Sequence, residues 1–262
     1  MQIDAGRFTV RLAQSEEDIA AAQRLRYKVF VEEMGAKPTP EDAALRRERD
    51  RFDPYFEHLI LIDNEAPTDD PLERVAGVYR LMTGERAREG IGFYGATEYD
   101  LTKLEQLDRK VVELGRSCVG APYRGGAAMH LLWTGLGEFV TSRGIEIMFG
   151  TASFHGADPA PLAHALSHLH HNHLAPEDLR VRARPEHFVP MDALPPEQVD
   201  RKLAARQIPA LIKAYLRLGG FVGEGAYVDR EFNTVDVCVL MDTARMVARY
   251  RDFYGRESSS AR

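Results

Sequence analysis

The stretch RKVVELGRSCVGAPYRGGAAMHLLWTGL, residues 109–136, constrains the fold more than any other. A run of Val and Leu long enough for a strand leads through a turn to Gly125 and Gly126, then to a helical pattern over about 125–142. A second apolar strand, IEIMFGT, follows. This order is a β-α-β unit, the connection that joins parallel strands through a helix. It places the chain in the α/β class.

Two charged residues, Glu113 and Arg116, interrupt the first of these strands. A carboxylate and a guanidinium are costly in a buried strand unless they are paired or used. At this spacing they face opposite sides of a regular strand. Gly115 between them is a natural site for a bulge that resets the alternation. A bulge leaves a backbone N–H unpaired, and an N–H beside a carboxylate gives an oxyanion donor and a base, two parts of an acyl-transfer site. A buried Glu113–Arg116 ion pair accounts for the same residues, and spacing alone leaves both readings open. So it is with YRGG at the helix entrance, where Arg124 and the first helical amides form either a phosphate cradle or an ordinary glycine turn.

The rest of the chain extends the α/β reading. RFTVRLA reads as the first strand. Ser15 with Asp18 resembles a capping box that opens a helix carrying Ile19, Ala22, Leu25, Val29 and Phe30 at helical spacing. HLILI and RVAGVYRLM read as paired strands, and TEYDLTKLEQL as a short helix. DPAPLAHALSHLHHNHL reads as a helix, ARQIPALIKAYLRLGG as one helix ending at its Gly pair, and GAYVDREFNTVDVCVLM as two strands turning near Asn233. The expected organisation is a single domain over 1–255, a mixed central sheet flanked by helices, with a helical insertion at about 158–217 and a disordered tail at 256–262. A net charge of -6 argues against a general nucleic-acid partner. No apolar run approaches the roughly 18–20 residues of a membrane span, and MQIDAGRFTVRL lacks a signal pattern. Cys118 and Cys238 have no close partner in sequence, so the expected compartment is the reducing cytoplasm.

Four features then occur in order: Arg26 and Phe30 one turn apart, Asp50 with Asp53, Arg80 in GVYRLM, and Glu113 with Arg116. The set resembles the acyl-homoserine-lactone synthases of the GNAT acyltransferase superfamily, with Met34 near the place of that family's Trp. Longer segments are similar to the L-ornithine Nα-acyltransferases of bacterial ornithine-lipid synthesis: FYGATEYDLTKL, VVELGRSCVGAPYRGG, FGTASFHGADP, LSHLHHNHLAPEDLRVRA and AYLRLGGFVGEGAYVDREFNTVDVCVLM. The resemblance implies a GNAT-like fold and transfer of a 3-hydroxy fatty acyl group from the phosphopantetheine thioester of acyl carrier protein to the α-amine of L-ornithine. The product is lyso-ornithine lipid, and neither a metal nor a tightly bound cofactor is expected. It implies Glu113 as general base, with Gly115 and Arg116 completing the catalytic strand. Arg26, Phe30, Asp50, Asp53 and Arg80 fall on the acceptor side, and Val119, Arg124, Gly125 and Gly126 on the phosphopantetheine side. Ala127 and Met129 stand where the usual GNAT phosphate loop keeps its last small residues, which favours the single phosphodiester of a carrier protein over coenzyme A. The lipid product implies peripheral contact with the inner face of the cytoplasmic membrane.

The residues themselves leave several roles open. Arg80 and Arg116 organise carboxylates or bind the substrate's carboxylate. Asp50 and Asp53 meet the cationic side chain of ornithine or pair with Arg26, Arg49 or Arg51. His164, His168, His170, His171 and His173 crowd one helix without a completing carboxylate or Cys, and no metal is assigned to them. Cys118 reads as a small core residue, and Met129 and Trp133 as core. Arg109, Lys110, Arg124 and the run Arg180, Arg182, Arg184 are candidate contacts for an acidic carrier protein. The competing functions are acylation of glycine or lysine, lactone synthesis, and a non-catalytic lipid-binding GNAT scaffold.

Overall fold

The computed structural model describes residues 1–246. A hairpin opens the chain, β1 (Gln2–Ala5) against β2 (Phe8–Leu12), turning at Gly6 with φ +61°. β2 is the expected first strand; QIDA is too short and polar to announce β1. Ser15 caps α1 (Glu16–Arg26), its hydroxyl accepting the Asp18 N–H at 3.1 Å. The Asp18 carboxylate turns instead to Arg11, at 2.7 and 2.8 Å, and to the Gln14 N–H. Ala21, Ala22 and Leu25 of α1 pack with Ile60, Val75, Val78 and Cys118. After Arg26 the helix widens into a seven-residue π-helix, Tyr27–Glu33, a rare form that is frequent near functional sites.

The following elements are α2 (Pro40–Leu45), β3 (Glu57–Asp63), β4 (Val75–Thr83) and α3 (Gly84–Glu89). Then come β5 (Tyr99–Asp100), α4 (Thr102–Glu105), β6 (Val111–Val119), α5 (Ala128–Arg143) and β7 (Ile147–His155). The last part holds α6 (Ala163–His173), β8 (Arg182–Ala183), β9 (Phe188–Val189), α7 (Arg201–Gln207) and α8 (Ala210–Arg217). It closes with β10 (Phe221–Val222), β11 (Ala226–Asp229) and β12 (Thr234–Asp242).

These elements form two compact units. One joins Met1–Ile91 to Leu114–Gly144; the other joins Gly92–Glu113 to the chain from Ile145 onward. Strand β6 contributes to both, changing from one to the other between Glu113 and Leu114.

In the first unit the strand order is β1-β2-β3-β4-β6. Helix α5 lies close against this sheet because glycines remove the intervening atoms. A Cβ on Gly135 would fall 2.5 Å from Val10, and one on Gly77 of β4 would fall 2.7 Å from Leu132. Met129, expected in the core, is 37 % exposed because it lies in the first turn of α5, and Trp133 is only half-buried. Burial pushes the Cys118 thiol up to about 12, in keeping with a core residue.

In the second unit β6 runs parallel to β7 from Val111↔Ile147 to Glu113↔Phe149, as the β-α-β pattern predicts. β12, buried along its whole length, pairs antiparallel with β7, β11 and β10, and β9 extends β11. Asn233 turns β11 into β12 with φ +55°. The helix predicted over ARQIPALIKAYLRLGG is two helices, α7 and α8. Pro209 has no N–H to donate and forces Ile208 out of helical backbone, at ψ 125°. Two histidines of α6 hydrogen-bond to neighbouring backbone: His171 donates to the Leu194 carbonyl at 2.8 Å, and His164 accepts the Asp200 N–H at 3.2 Å. The tail expected at 256–262 lies outside the described residues.

Candidate active site

The most concentrated chemistry in the first unit is a ring of charges. Arg26, at the end of α1, donates to Glu48 and to both oxygens of Asp53, at 2.7 and 3.3 Å. Asp53 accepts from Arg80 of β4 at 2.7 Å, and Arg80 reaches Asp50 at 2.7 and 2.8 Å. Asp50 accepts from Arg116 of β6 at 3.2 Å, and Arg116 returns to Glu48 at 3.1 Å. Each carboxylate thus bridges two guanidiniums and each guanidinium two carboxylates, so the charges cancel around a closed circuit. Gln23 adds a 2.9 Å bond to Asp53, and Arg80 lies 4.2 Å over the Phe56 ring.

Burial sets the energetics of this ring. Burial by itself would raise the Glu48 carboxyl, but Arg116 and Arg26 outweigh it and hold it at about 2. The same contest holds Asp53 far below the usual carboxylate range, with Arg26 and Arg80 prevailing over burial. For His58, paired across the strands with Arg80, Asp53 does not make up the loss. Burial first and Arg26 second push its imidazole down to about 4, so it is neutral, and its Nε2 lies 3.2 Å from the Asp53 carbonyl.

Arg116 carries the irregularity expected of Gly115. Its φ is +48°, in the left-handed region, a conformation costing on the order of 1–3 kcal/mol for a residue with a side chain. The guanidinium bonds to Glu48 and Asp50 offset that cost. Gly115 instead gives space, since a Cβ there would meet Arg80 Nε at 3.9 Å.

Glu113 belongs to the second unit. It is 2 % exposed, and its carboxylate accepts the backbone N–H of Tyr94 at 2.8 Å and of Gly95 at 2.5 Å. Both amides open the short 3₁₀ turn Tyr94–Thr97 in the segment FYGATEYDL. Glycine at position 95 leaves room for this contact: a Cβ would lie 3.0 Å from Glu113 Oε1, so the carboxylate would have to give way. The side chain is therefore aimed by two fixed dipoles.

The turn before α5 belongs to the first unit. Arg124 donates to the Val119 carbonyl at 3.0 Å and to Glu33, the last residue of the π-helix, at 2.6 Å. Gly125 has φ +76°. A cleft of about 520 Å³ lies beside this turn, lined by Arg7, Phe8, Thr68, Tyr123, Arg124 and Gly126 among others. Phe30 is half-buried and packs on the core cluster of α1, as does Met34.

The structure brings Arg26, Asp50, Asp53, Arg80 and Arg116 together as the sequence set them in order. It adds Glu48, Gln23 and His58, which sequence reasoning missed. The signal for Glu48 was its place as the single acid within Arg46, Arg47 and Arg49. Among the described residues, the carboxylates of Glu98, Asp229 and Asp236 come within 4.8 Å of one another; proximity of three acids is not by itself a metal site, and none is assigned there.

Comparison with known proteins decides the family. The acetyltransferase (GNAT) domain matches residues 25–134. The chain is 53% identical over 249 residues to the L-ornithine Nα-acyltransferase of Rhodobacter capsulatus, covering 95% of each. It is 43% identical to that of Brucella abortus, covering 97% of this chain and 91% of the relative. The chain belongs to the L-ornithine Nα-acyltransferase family. It is accordingly an N-acyltransferase with a GNAT fold. Solved structures agree on the fold. FeeM, an N-acyl amino acid synthase from uncultured soil microbes, superposes with TM-score 0.53 at 10% identity over 92% of this chain and 96% of its own. MesI, a CoA-dependent acyl-homoserine lactone synthase, gives 0.50 at 14% identity over 94% and 95%. For a member of this family, the ring on α1, β4 and β6 and the amide-held Glu113 are the two constellations to connect to acyl transfer. No helix among the described residues is long and apolar enough to cross a membrane.

Proposed function

We propose that this chain moves a 3-hydroxy fatty acyl group from the phosphopantetheine thioester of acyl carrier protein to the α-amine of L-ornithine. The observation that carries the acceptor is the 53% identity, over nearly the full length of both chains, to a relative named for that reaction. The amine attacks the thioester carbonyl carbon, a C–N bond forms, and the C–S bond breaks. Glu113 takes the proton that the ammonium must lose before it attacks, the second proton of the attacking nitrogen passes to the departing sulfur, and the carrier leaves as its thiol. No covalent enzyme intermediate is needed. Two amides hold the Glu113 carboxylate in one direction, which is the preorganisation that general-base catalysis requires. Backbone N–H groups of β6 near the left-handed residue Arg116 are assigned to the developing oxyanion.

In this reading Asp50 and Asp53 serve the acceptor through the arginines that they hold, and Phe30 supports the end of α1. Val119, Arg124, Gly125 and Gly126 receive the phosphodiester of the donor, with Ala127 and Met129 leaving a looser cradle than coenzyme A demands. The protein works in the cytoplasm, in peripheral contact with the inner membrane where its product is used. Expression in a host lacking aminolipids, followed by mass spectrometry of extracted lipids, tests the reading. A new mono-acylated ornithine is expected; a different amino-acid headgroup, or no new lipid from soluble folded protein, refutes it.

A further inference from the structure

Glu48 lies outside every motif read from the sequence, yet it closes the ring. Its backbone N–H donates to the Gln23 carbonyl of α1 at 3.1 Å, which fixes its Cα beside that helix. From there its two oxygens part: one takes Arg26 and the other takes Arg116 at 3.1 Å. The residue therefore ties α1 to β6. The other tie to Arg116 is shared more widely. Asp50 gives both oxygens to Arg80 and one also to the N–H groups of Phe52 and Asp53, and it reaches Arg116 at 3.2 Å.

Removing the Glu48 charge leaves three guanidiniums for two carboxylates. Arg26 is fully buried and keeps two bonds to Asp53, so it stays in place. Arg116, whose side chain is 10% exposed where those of Arg26 and Arg80 are not exposed at all, is the guanidinium of the ring nearest to water. Its φ of +48° then loses one of the contacts that sustain it, and the strand relaxes next to Gly115, two residues from Glu113.

We propose that Glu48 is a positioning residue for acyl transfer: it holds Arg116 in its left-handed conformation and so fixes the course of β6 immediately after Glu113. The proposal rests on the reading of Glu113 as the base. The test is steady-state kinetics of the purified enzyme with an acyl carrier protein thioester and ornithine, alongside thermal unfolding. Glu48→Gln, close in shape but uncharged, is expected to lower kcat by about 10- to 100-fold, the scale of a misplacement near 1 Å, with donor KM unchanged within about twofold. Glu48→Asp, which keeps the charge, should recover part of the loss. In the double variant Glu48→Gln/Arg116→Gln the losses should not multiply, because both act through one contact.

Folded Glu48→Gln with wild-type kcat overturns the proposal, as do losses that multiply in the double variant. If Glu48→Gln does not fold, Arg116→Lys replaces it, since it loses the planar fork whose separate nitrogens take Glu48 and Asp50; wild-type kcat there is equally fatal. Glu113→Gln is run in parallel. Full activity of Glu113→Gln defeats the base reading, whereas a dead Glu113→Gln with an unaffected Glu48→Gln defeats only this inference.

Discussion

Replacing Asp53 by Asn removes one charge from a closed ring and changes little else in size. Asp53 accepts from Arg26 at 2.7 and 3.3 Å, from Arg80 at 2.7 Å and from Gln23 at 2.9 Å. An amide can accept with only one of its two heavy atoms, and its NH₂ group faces donors. The ring then holds three guanidiniums against two carboxylates, with Arg26 and Arg80 both without exposure. Breaking a buried ion pair by removing one partner costs about 3–5 kcal/mol, because the remaining charge is left uncompensated. For a chain of this size that corresponds to a fall in Tm of about 6–20 °C. Urea unfolding followed by circular dichroism measures the loss, with Glu73→Gln as control. Glu73 pairs with Lys28 on the surface, both side chains more than a third exposed, and such a pair is worth about 0–1 kcal/mol. The closed circuit makes a second demand. Arg26→Gln with Asp53→Asn restores neutrality and should cost less than the sum of the two singles, by about 0.5–3 kcal/mol. An Asp53→Asn loss no larger than the control, or strict additivity of the pair, would refute the argument that these charges stabilise one another as a circuit.

Other outcomes follow from the same geometry. His58 has its pKa lowered from 6.5 to about 4 by burial, so the unfolded chain binds a proton there before the folded one does. Its contribution is complete above about pH 6.5 and is lost as pH falls toward 4, by about 3 kcal/mol in all; His58→Gln should flatten the stability–pH curve in that window. Below it, Glu48 and Asp53, both held down by their arginines, lose their contribution as pH falls from about 4 toward 2. Glu113→Gln should reduce kcat by at least about 100-fold while leaving the circular dichroism spectrum and carrier-protein binding unchanged; near-normal turnover would remove Glu113 from the mechanism. Gly95→Ala places a methyl carbon 3.0 Å from Glu113 Oε1 and should lower kcat by about tenfold or more through misplacement, measured against unchanged donor KM.

Most strands and the β-α-β unit could be read from the sequence because each is written in local periodicity. Val and Leu in β6, the alternation in β2 and the uninterrupted apolar run of β12 need no distant partner to be recognised. Ser15 and Asn233 marked a cap and a turn for the same reason. The exceptions are also local in origin. The π-helix at Tyr27–Glu33 has the same residue spacing as the α-helix before it, and β1 owes its existence to pairing with β2. The break at Pro209 was written in the chain but outweighed by an apolar pattern that continues on both sides.

The candidate site behaves differently, because its meaning lies in closure. Glu48 and Arg116 are 68 residues apart, Arg80 and Asp50 are 30 apart, and Arg26 and Asp53 are 27 apart. Each member alone is a residue that burial should exclude, and in the sequence each reads as a helix charge, a polar loop or a charge interrupting a strand. Only the full set of six removes the penalty, since any five leave a net charge in a place largely shielded from water. That is why the ordered pattern Arg26, Asp50, Asp53, Arg80 and Arg116 was visible as a motif while Glu48, which makes it neutral, was not. In the sequence the motif counts three guanidiniums and three carboxylates, with Glu113 as the third acid. The structure gives the Glu113 carboxylate to the Tyr94 and Gly95 amides, and Glu48 is the third acid of the ring.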